Sequence, residues 1–272
     1  NDLQGGETLS MTGSGTATSA NVANSIAMAN NGTLALADGT GLASNYSLNS
    51  TIIDIVPRDV TFSGTRVYDG TTTVNSADLT TINNLANSET LSFSGSGTVN
   101  SQNVGNNKSI TNGSLDLVNG TGLASNYNLT TGTYDITKRW VTVTGTKTYD
   151  ATLSVDNSDL SMSNILSGET LSLSGVAQLS SALVGSGKSL SQNTLSLSDG
   201  SGLASNYTFG SLSVNVTKRT VTLQGSKAYD GLTTVSGSNI STISNLAGGE
   251  NLSIVGEGSI LSAEVGNSKT IS

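Results

Sequence analysis

Eight residues, Gly120-Thr121-Gly122-Leu123-Ala124-Ser125-Asn126-Tyr127, recur nearly unchanged at Gly39 to Tyr46 and, with Ser201 in place of threonine, at Gly200 to Tyr207. Their tyrosines lie at 46, 127 and 207, steps of 81 and 80 residues. A second word keeps the same phase: Tyr68-Asp69-Gly70, Tyr149-Asp150-Ala151 and Tyr229-Asp230-Gly231. Two markers in phase along one chain constrain it to a tandem array rather than one large domain. Cut at the Lys138-Arg139 and Lys218-Arg219 pairs, and at Pro57-Arg58 where proline takes the lysine's place, the chain divides into the C-terminal part of a repeat (1–57), two complete repeats (58–138 and 139–218) and the N-terminal part of another (219–272). A repeat of this size buries a modest share of its surface, so neighbouring copies are expected to help. The structural markers to follow are Tyr68, Asp69, Tyr149, Asp150, Tyr229 and Asp230, together with Asn45-Tyr46, Asn126-Tyr127 and Asn206-Tyr207.

Within a repeat, apolar and polar residues alternate with period two. Val60-Thr61-Phe62-Ser63 does so, with copies at Val141-Thr142-Val143-Thr144 and Val221-Thr222-Leu223-Gln224. Glu89 to Gly95 alternates as well and recurs at Glu7 to Gly13, Glu169 to Gly175 and Glu250 to Gly256. Such alternation is the signature of a half-buried strand, and Asp-Gly words between the segments are turn signals. Leu79 to Leu85 reads either as strand or as a single helical turn. No window sustains a 3.6-residue period, and Ser, Thr, Val and Gly are poor helix formers. The expectation is an all-β chain with about six short strands per repeat, each repeat a small immunoglobulin-like β-sandwich. A β-solenoid is the alternative, although its rungs repeat at about 20–30 residues and no such sub-period appears inside the 80. Thr-Lys-Arg runs directly from one repeat into the next without a Pro- or Gly-rich tether. Closely abutting beads, and hence an extended rod, follow from that.

Composition matters here for what it removes. With no cysteine and no histidine, disulfides, thiol chemistry and imidazole acid–base work are absent, as are Cys/His metal sites. A net charge of −8 and only 11 scattered Lys and Arg residues argue against nucleic acid. No apolar run approaches the roughly 20 residues a bilayer-crossing helix needs, so membrane insertion is not expected. The chain opens at Asn1 without a signal-peptide pattern and reads as a segment of something longer. A surface of serine, threonine and asparagine with 11% charged residues suits an extracellular or cell-surface protein.

Candidate chemistry is sparse. Glu89, Lys108, Arg66, Asp69, the Lys138-Arg139 pair and their copies read as local ion pairs and turn caps. A sharper alternative is a lysine–asparagine isopeptide bond, with Asn126 or Asn206, Lys147 or Lys227, and Glu89 or Glu169 as ingredients. Calcium is the one cofactor to weigh, through Asp38 and Asp199, but Asn119 replaces them in the middle copy and turn chemistry accounts for all three. Tyr46, Tyr127 and Tyr207 read as core or corner residues with their hydroxyls bonded back to the chain. Trp140, the only tryptophan, either packs at a joint between repeats or stacks a sugar. No paired carboxylates recur as a catalytic set, so no enzyme is expected.

The Lys-Arg-x-Val-Thr opening, the Tyr-Asp-Gly word and the Gly-x-Gly-Leu-Ala-Ser-Asn-Tyr word together resemble the YDG-type, mostly-β, glycine-rich repeats of bacterial filamentous-haemagglutinin-like adhesins, and the resemblance spans essentially the whole chain. It departs at Ala151, where glycine is usual, which suggests that positive φ is not strictly demanded there. The resemblance implies stalk repeats of a large surface-exposed or secreted adhesin, often exported by two-partner secretion. They would project a binding region towards a host surface or biofilm matrix. Neighbouring repeats of the same chain are then the main partners. Self-association of unpaired strand edges into a filament or sheath is a second expectation. Binding of host or matrix glycans, as a carbohydrate-binding module using Trp140, is a third.

Overall fold

The computed structural model describes residues 3–49 and 51–272; the reading of Asn1 falls outside them. The chain forms two compact units, Asn1–Thr137 and Lys138–Ser272. It is all-β, with curled half-barrel sheets, and among the described residues its helical elements are three-residue 3-10 turns.

The complete repeat in the first unit carries eight strands, two more than alternation revealed. The additions are Thr73–Asn75 and Ser96–Val99, too short to show a period. Leu79–Asn83 is a strand, so of the two readings of Leu79 to Leu85 the strand holds; the nearby 3-10 turn, Ser76–Asp78, precedes that segment. Six strands form one sheet in the order Thr73–Asn75, Ser96–Val99, Gly105–Thr111, Tyr127–Thr137, Arg58–Val67, Leu79–Asn83. The other two, Leu91–Ser94 and Asp116–Asn119, pair as a separate ribbon. The second complete repeat repeats this order strand for strand. Among the described residues every sheet is built from strands of a single copy, unlike the rung-to-rung pairing of a solenoid.

Alternation decides which face is buried. From the opening strand Arg58–Val67, Val60 and Phe62 point into the core, and from the closing strand Tyr127–Thr137, Tyr134 and Ile136 do. Burying each such side chain contributes about 1.5–3 kcal/mol. The ribbon supplies Leu117, with Leu91 and Phe93, against Val60, Tyr127 and Leu129 of the sheet. In the second repeat a further cluster, Val155, Ala177, Leu179, Leu195, Val214 and Val216, fills the concave side nearer the other edge.

One pairing organises the whole repeat. The opening and closing strands are interior neighbours in the sheet and run parallel, with Arg58 opposite Tyr127 and Val67 opposite Thr137. Arg139–Thr148 and Tyr207–Thr217 do the same. A parallel pair sends the chain in at one end and out at the other, an advance of about 33 Å over ten residues.

Candidate functional site: the two ends of a repeat

At the outgoing end, the Tyr-Asp-Gly word folds around a cation. Lys147 is only 6% exposed, and its Nζ lies 2.9 Å from Asp150 Oδ1 and 2.7 Å from Thr152 Oγ1, with the Ser154 carbonyl also accepting from it. Asp150 Oδ1 in turn accepts the Thr152 N–H at 3.0 Å, the bond that shapes an Asx turn. Arg66 takes the same place in the first repeat, 3.1 Å from Asp69, donating to the Thr71 and Thr73 carbonyls. Lys227 does so in the last, 2.7 Å from Asp230, donating to the Leu232 and Thr234 carbonyls. The cation stands in for the ladder partners that this loop lacks. Burial of Asp150 pushes its carboxyl up, but the Lys147 ammonium and the Thr152 N–H and hydroxyl prevail and hold it below its ordinary value. Asp230 is likewise lowered, first by Lys227.

Ala151 has φ 64°, beside 77° at Gly70 and 74° at Gly231. The turn therefore does require the left-handed conformation, and alanine adopts it at a cost. The sequence reading that the alanine relaxed this demand is corrected.

At the incoming end, the octapeptide wraps onto Glu89 and Thr90, just before the strand Leu91–Ser94. Thr121 Oγ1 accepts the Thr90 N–H at 2.8 Å, and Thr90 Oγ1 accepts the Thr121 N–H at 3.2 Å. The Tyr127 hydroxyl accepts the Ala86 N–H at 3.0 Å and donates to the Glu89 carboxylate. A Cβ at Gly122 would sit 2.5 Å from Glu89 Oε2, so a side chain there would push the carboxylate off the Tyr127 hydroxyl. Tyr207 repeats the latch onto Glu169 at 2.5 Å, and Tyr46 onto Glu7 at 2.5 Å. Asn119 and its acidic counterparts Asp38 and Asp199 each accept the N–H five residues on, at 2.7 Å, which is turn capping in all three copies.

A third latch escaped the sequence reading. Arg58 Nη2 donates to Asn84 Oδ1 at 2.7 Å, and Arg139 and Arg219 engage Asn164 and Asn245. All three asparagines take positive φ at the end of their strand. Their spacing, at 84, 164 and 245, was the available signal.

Two marker side chains reach beyond their own copy. In the first unit, Asn126 Oδ1 accepts the Val22 N–H at 2.9 Å and Nδ2 donates to Asn21 Oδ1 at 3.0 Å. Asn21 and Val22 belong to the preceding copy and directly precede Ala23, which pairs with Ile55 at the outgoing end of that copy's last strand. In the second unit, the Tyr149 hydroxyl donates to Glu250, the counterpart of Glu89 in the following copy. Asn126 thus faces backwards in the first unit and Tyr149 forwards in the second, each making a polar contact between adjacent copies within its own unit.

The two complete repeats coincide with a known sequence family. The YDG domain matches residues 56–134 and again residues 137–216. The chain belongs to the YDG domain family. No curated protein matches it, and no solved structure matches it. In each YDG domain the tyrosine that gives the motif its first letter sits at the outgoing end. Tyr68 is 1% exposed, whereas Tyr229, in the copy at 219–272, is 66% exposed.

The remaining candidates separate. Lys147 pairs with Val216 and Arg139 with Tyr207, so Lys147 lies at the outgoing end of its repeat and Asn206 at the incoming end. The isopeptide ingredients Lys147, Asn206 and Glu169 are thereby held apart within the repeat. Asn206 is buried in its 3-10 turn. Trp140 is 69% exposed on the opening strand of the second YDG domain, its carbonyl taken by Asn164 Nδ2.

Proposed function

We propose that these YDG domains are spacer repeats of a large cell-surface or secreted bacterial adhesin, and that their work is reach and spacing. The carrying observation is that the chain leaves each repeat at the end opposite to where it came in. One residue, Lys138, separates the closing strand of one repeat from the opening strand of the next. Each repeat then separates its own entry and exit by about 33 Å. In this reading every repeat is a small β-sandwich bead, with the two-stranded ribbon facing the curled sheet. The resemblance to haemagglutinin-like stalks supplies the setting, a binding region carried away from the cell towards a host surface or biofilm matrix.

Small-angle scattering on the whole chain tests this. A maximum dimension several times the cross-section supports a spacer, and a compact globule overturns it. Asn126→Ala removes both joint bonds in the first unit. It is expected to leave the repeats folded while raising the flexibility seen in the scattering profile. A second reading, glycan binding, is favoured only by the exposure of Trp140. Saturable binding on a glycan panel that disappears in Trp140→Ala is its requirement.

A further inference from the structure

We propose that the parallel pair of opening and closing strands is a force-bearing clamp, so that each YDG domain resists tension applied along the chain. The proposal rests on the spacer reading, since a spacer between a surface and its target is loaded through its two ends.

The geometry is that of shear. Tension pulls Arg58 away from the repeat at the incoming end and Thr137 away at the outgoing end. Because the strands are parallel, those pulls slide them lengthwise past each other. All nine register pairs between Arg58–Val67 and Tyr127–Thr137 are then loaded together. An antiparallel terminal pair would bring both pulls to one end and open its bonds one after another. The second repeat has the same nine-pair arrangement between Arg139–Thr148 and Tyr207–Thr217.

Three further features place the load well. Both strands are interior to the six-stranded sheet, so neither can peel away at an edge. Side chains add rungs across the pair: Thr130 Oγ1 donates to the Val60 carbonyl at 2.8 Å, Asn128 Nδ2 to Asp59 Oδ1 at 2.8 Å and Thr137 Oγ1 to the Arg66 carbonyl at 3.1 Å. Beyond the opening strand, the Tyr68 N–H still bonds the Thr137 carbonyl at 2.9 Å, as Tyr149 bonds Thr217 at 2.9 Å. The cation staple of the Tyr-Asp-Gly word sits at this outgoing end and fixes the loop where the opening strand turns away. In a chain with no cysteine, the hydrogen-bonded clamp replaces the covalent cross-link that could otherwise hold a loaded domain.

The test is single-molecule force spectroscopy along two directions. Handles at the chain ends load the clamp in shear. Handles on Pro57→Cys and Ser125→Cys, exposed positions at the incoming end, load the same ladder by peeling. Trp140→Cys with Ser205→Cys is an equivalent pair in the second repeat, so the test does not hang on one variant. End-to-end pulling is expected to show two events, each lengthening the chain by about 250 Å as roughly 80 residues extend. Their rupture force is expected to be at least twice that through either cysteine pair at equal loading rate. Equal forces in the two directions, or a weaker end-to-end event, overturn the clamp. Scattering on the same sample separates the two ideas: an extended chain with direction-independent force removes the clamp alone, and a compact chain removes the spacer.

Discussion

Phe62 and Gly132 face each other across the parallel pair, and so do Val143 and Leu212 in the second repeat. One repeat uses a large residue opposite none, the other two of middle size. The ring of Phe62 is buried and packs at 5.5 Å from that of Phe93, and a Cβ added at Gly132 would lie 2.3 Å from its Cε2. Ordinary contact is 3.5–4.0 Å, so the overlap exceeds about 1 Å against a ring with nowhere to go. Gly132→Leu alone is therefore expected to cost the first repeat about 3 kcal/mol, the upper end for overpacking. Phe62→Val alone should cost about 2–3 kcal/mol through the cavity it leaves. Together they transplant the second repeat's pair, and the double variant should lie within about 1.5 kcal/mol of the parent, as volume-conserving swaps do. The coupling, about 3 kcal/mol or more, is far outside the spread for independent sites. Hydrogen exchange over residues 58–137, with 139–217 in the same chain as reference, measures all three variants. Additive costs, with coupling below about 0.5 kcal/mol, would refute complementary packing as the reason for the glycine.

Ala151→Gly should stabilise the second repeat by about 0.5–1 kcal/mol, the left-handed strain of alanine less the extra unfolded-state freedom of glycine. An unchanged or lowered denaturation midpoint would count against it. Lys147→Met strands Asp150 and two carbonyls; because Asp150 is 41% exposed, the loss is about 2–3 kcal/mol rather than that of a fully buried pair. Lys147→Arg should cost little, since Arg66 fills that place in the first repeat, and an equal loss in both variants would discredit the staple. Stability should also fall at both pH extremes. Asp150 and Asp230 are held below 3.8, so their contribution is present above that value and lost as pH falls through their folded values. Tyr127 and Tyr46, bonded to glutamates, and Tyr207, by burial and then Glu169, are raised above 10.0, so theirs is complete below pH 10 and lost as pH rises beyond it. Thermal melts across pH check both limbs, and a midpoint flat through either extreme contradicts the assignment.

The repeat period and the strand character were legible because both are local or exact repetitions: Val60 to Ser63 shows its period in four residues, and the octapeptide shows its copies by eye. The parallel pairing was not. Arg58 and Tyr127 are 69 positions apart, and nothing in either segment names the other. Thr73–Asn75 and Ser96–Val99 hid because three or four residues cannot display alternation. Asn126 and Tyr149 were visible as markers, but their part in the joint depends on which end of the sheet each occupies. Arg58 and Asn84 illustrate the same limit, since a side-chain latch 26 residues long leaves only a faint spacing.

The closing strand has one more consequence, which concerns order in time. The opening strand of a YDG domain finds its central partner only in the last eleven residues of the repeat. A chain delivered N-terminus first, from a ribosome or through a narrow pore, holds each domain unfinished until those residues emerge. It then completes the domain in one step, because contacts of such long sequence separation are rewarded only once the loop is closed. Assembly of such a chain is then expected to advance in whole repeats, each closed by its last strand.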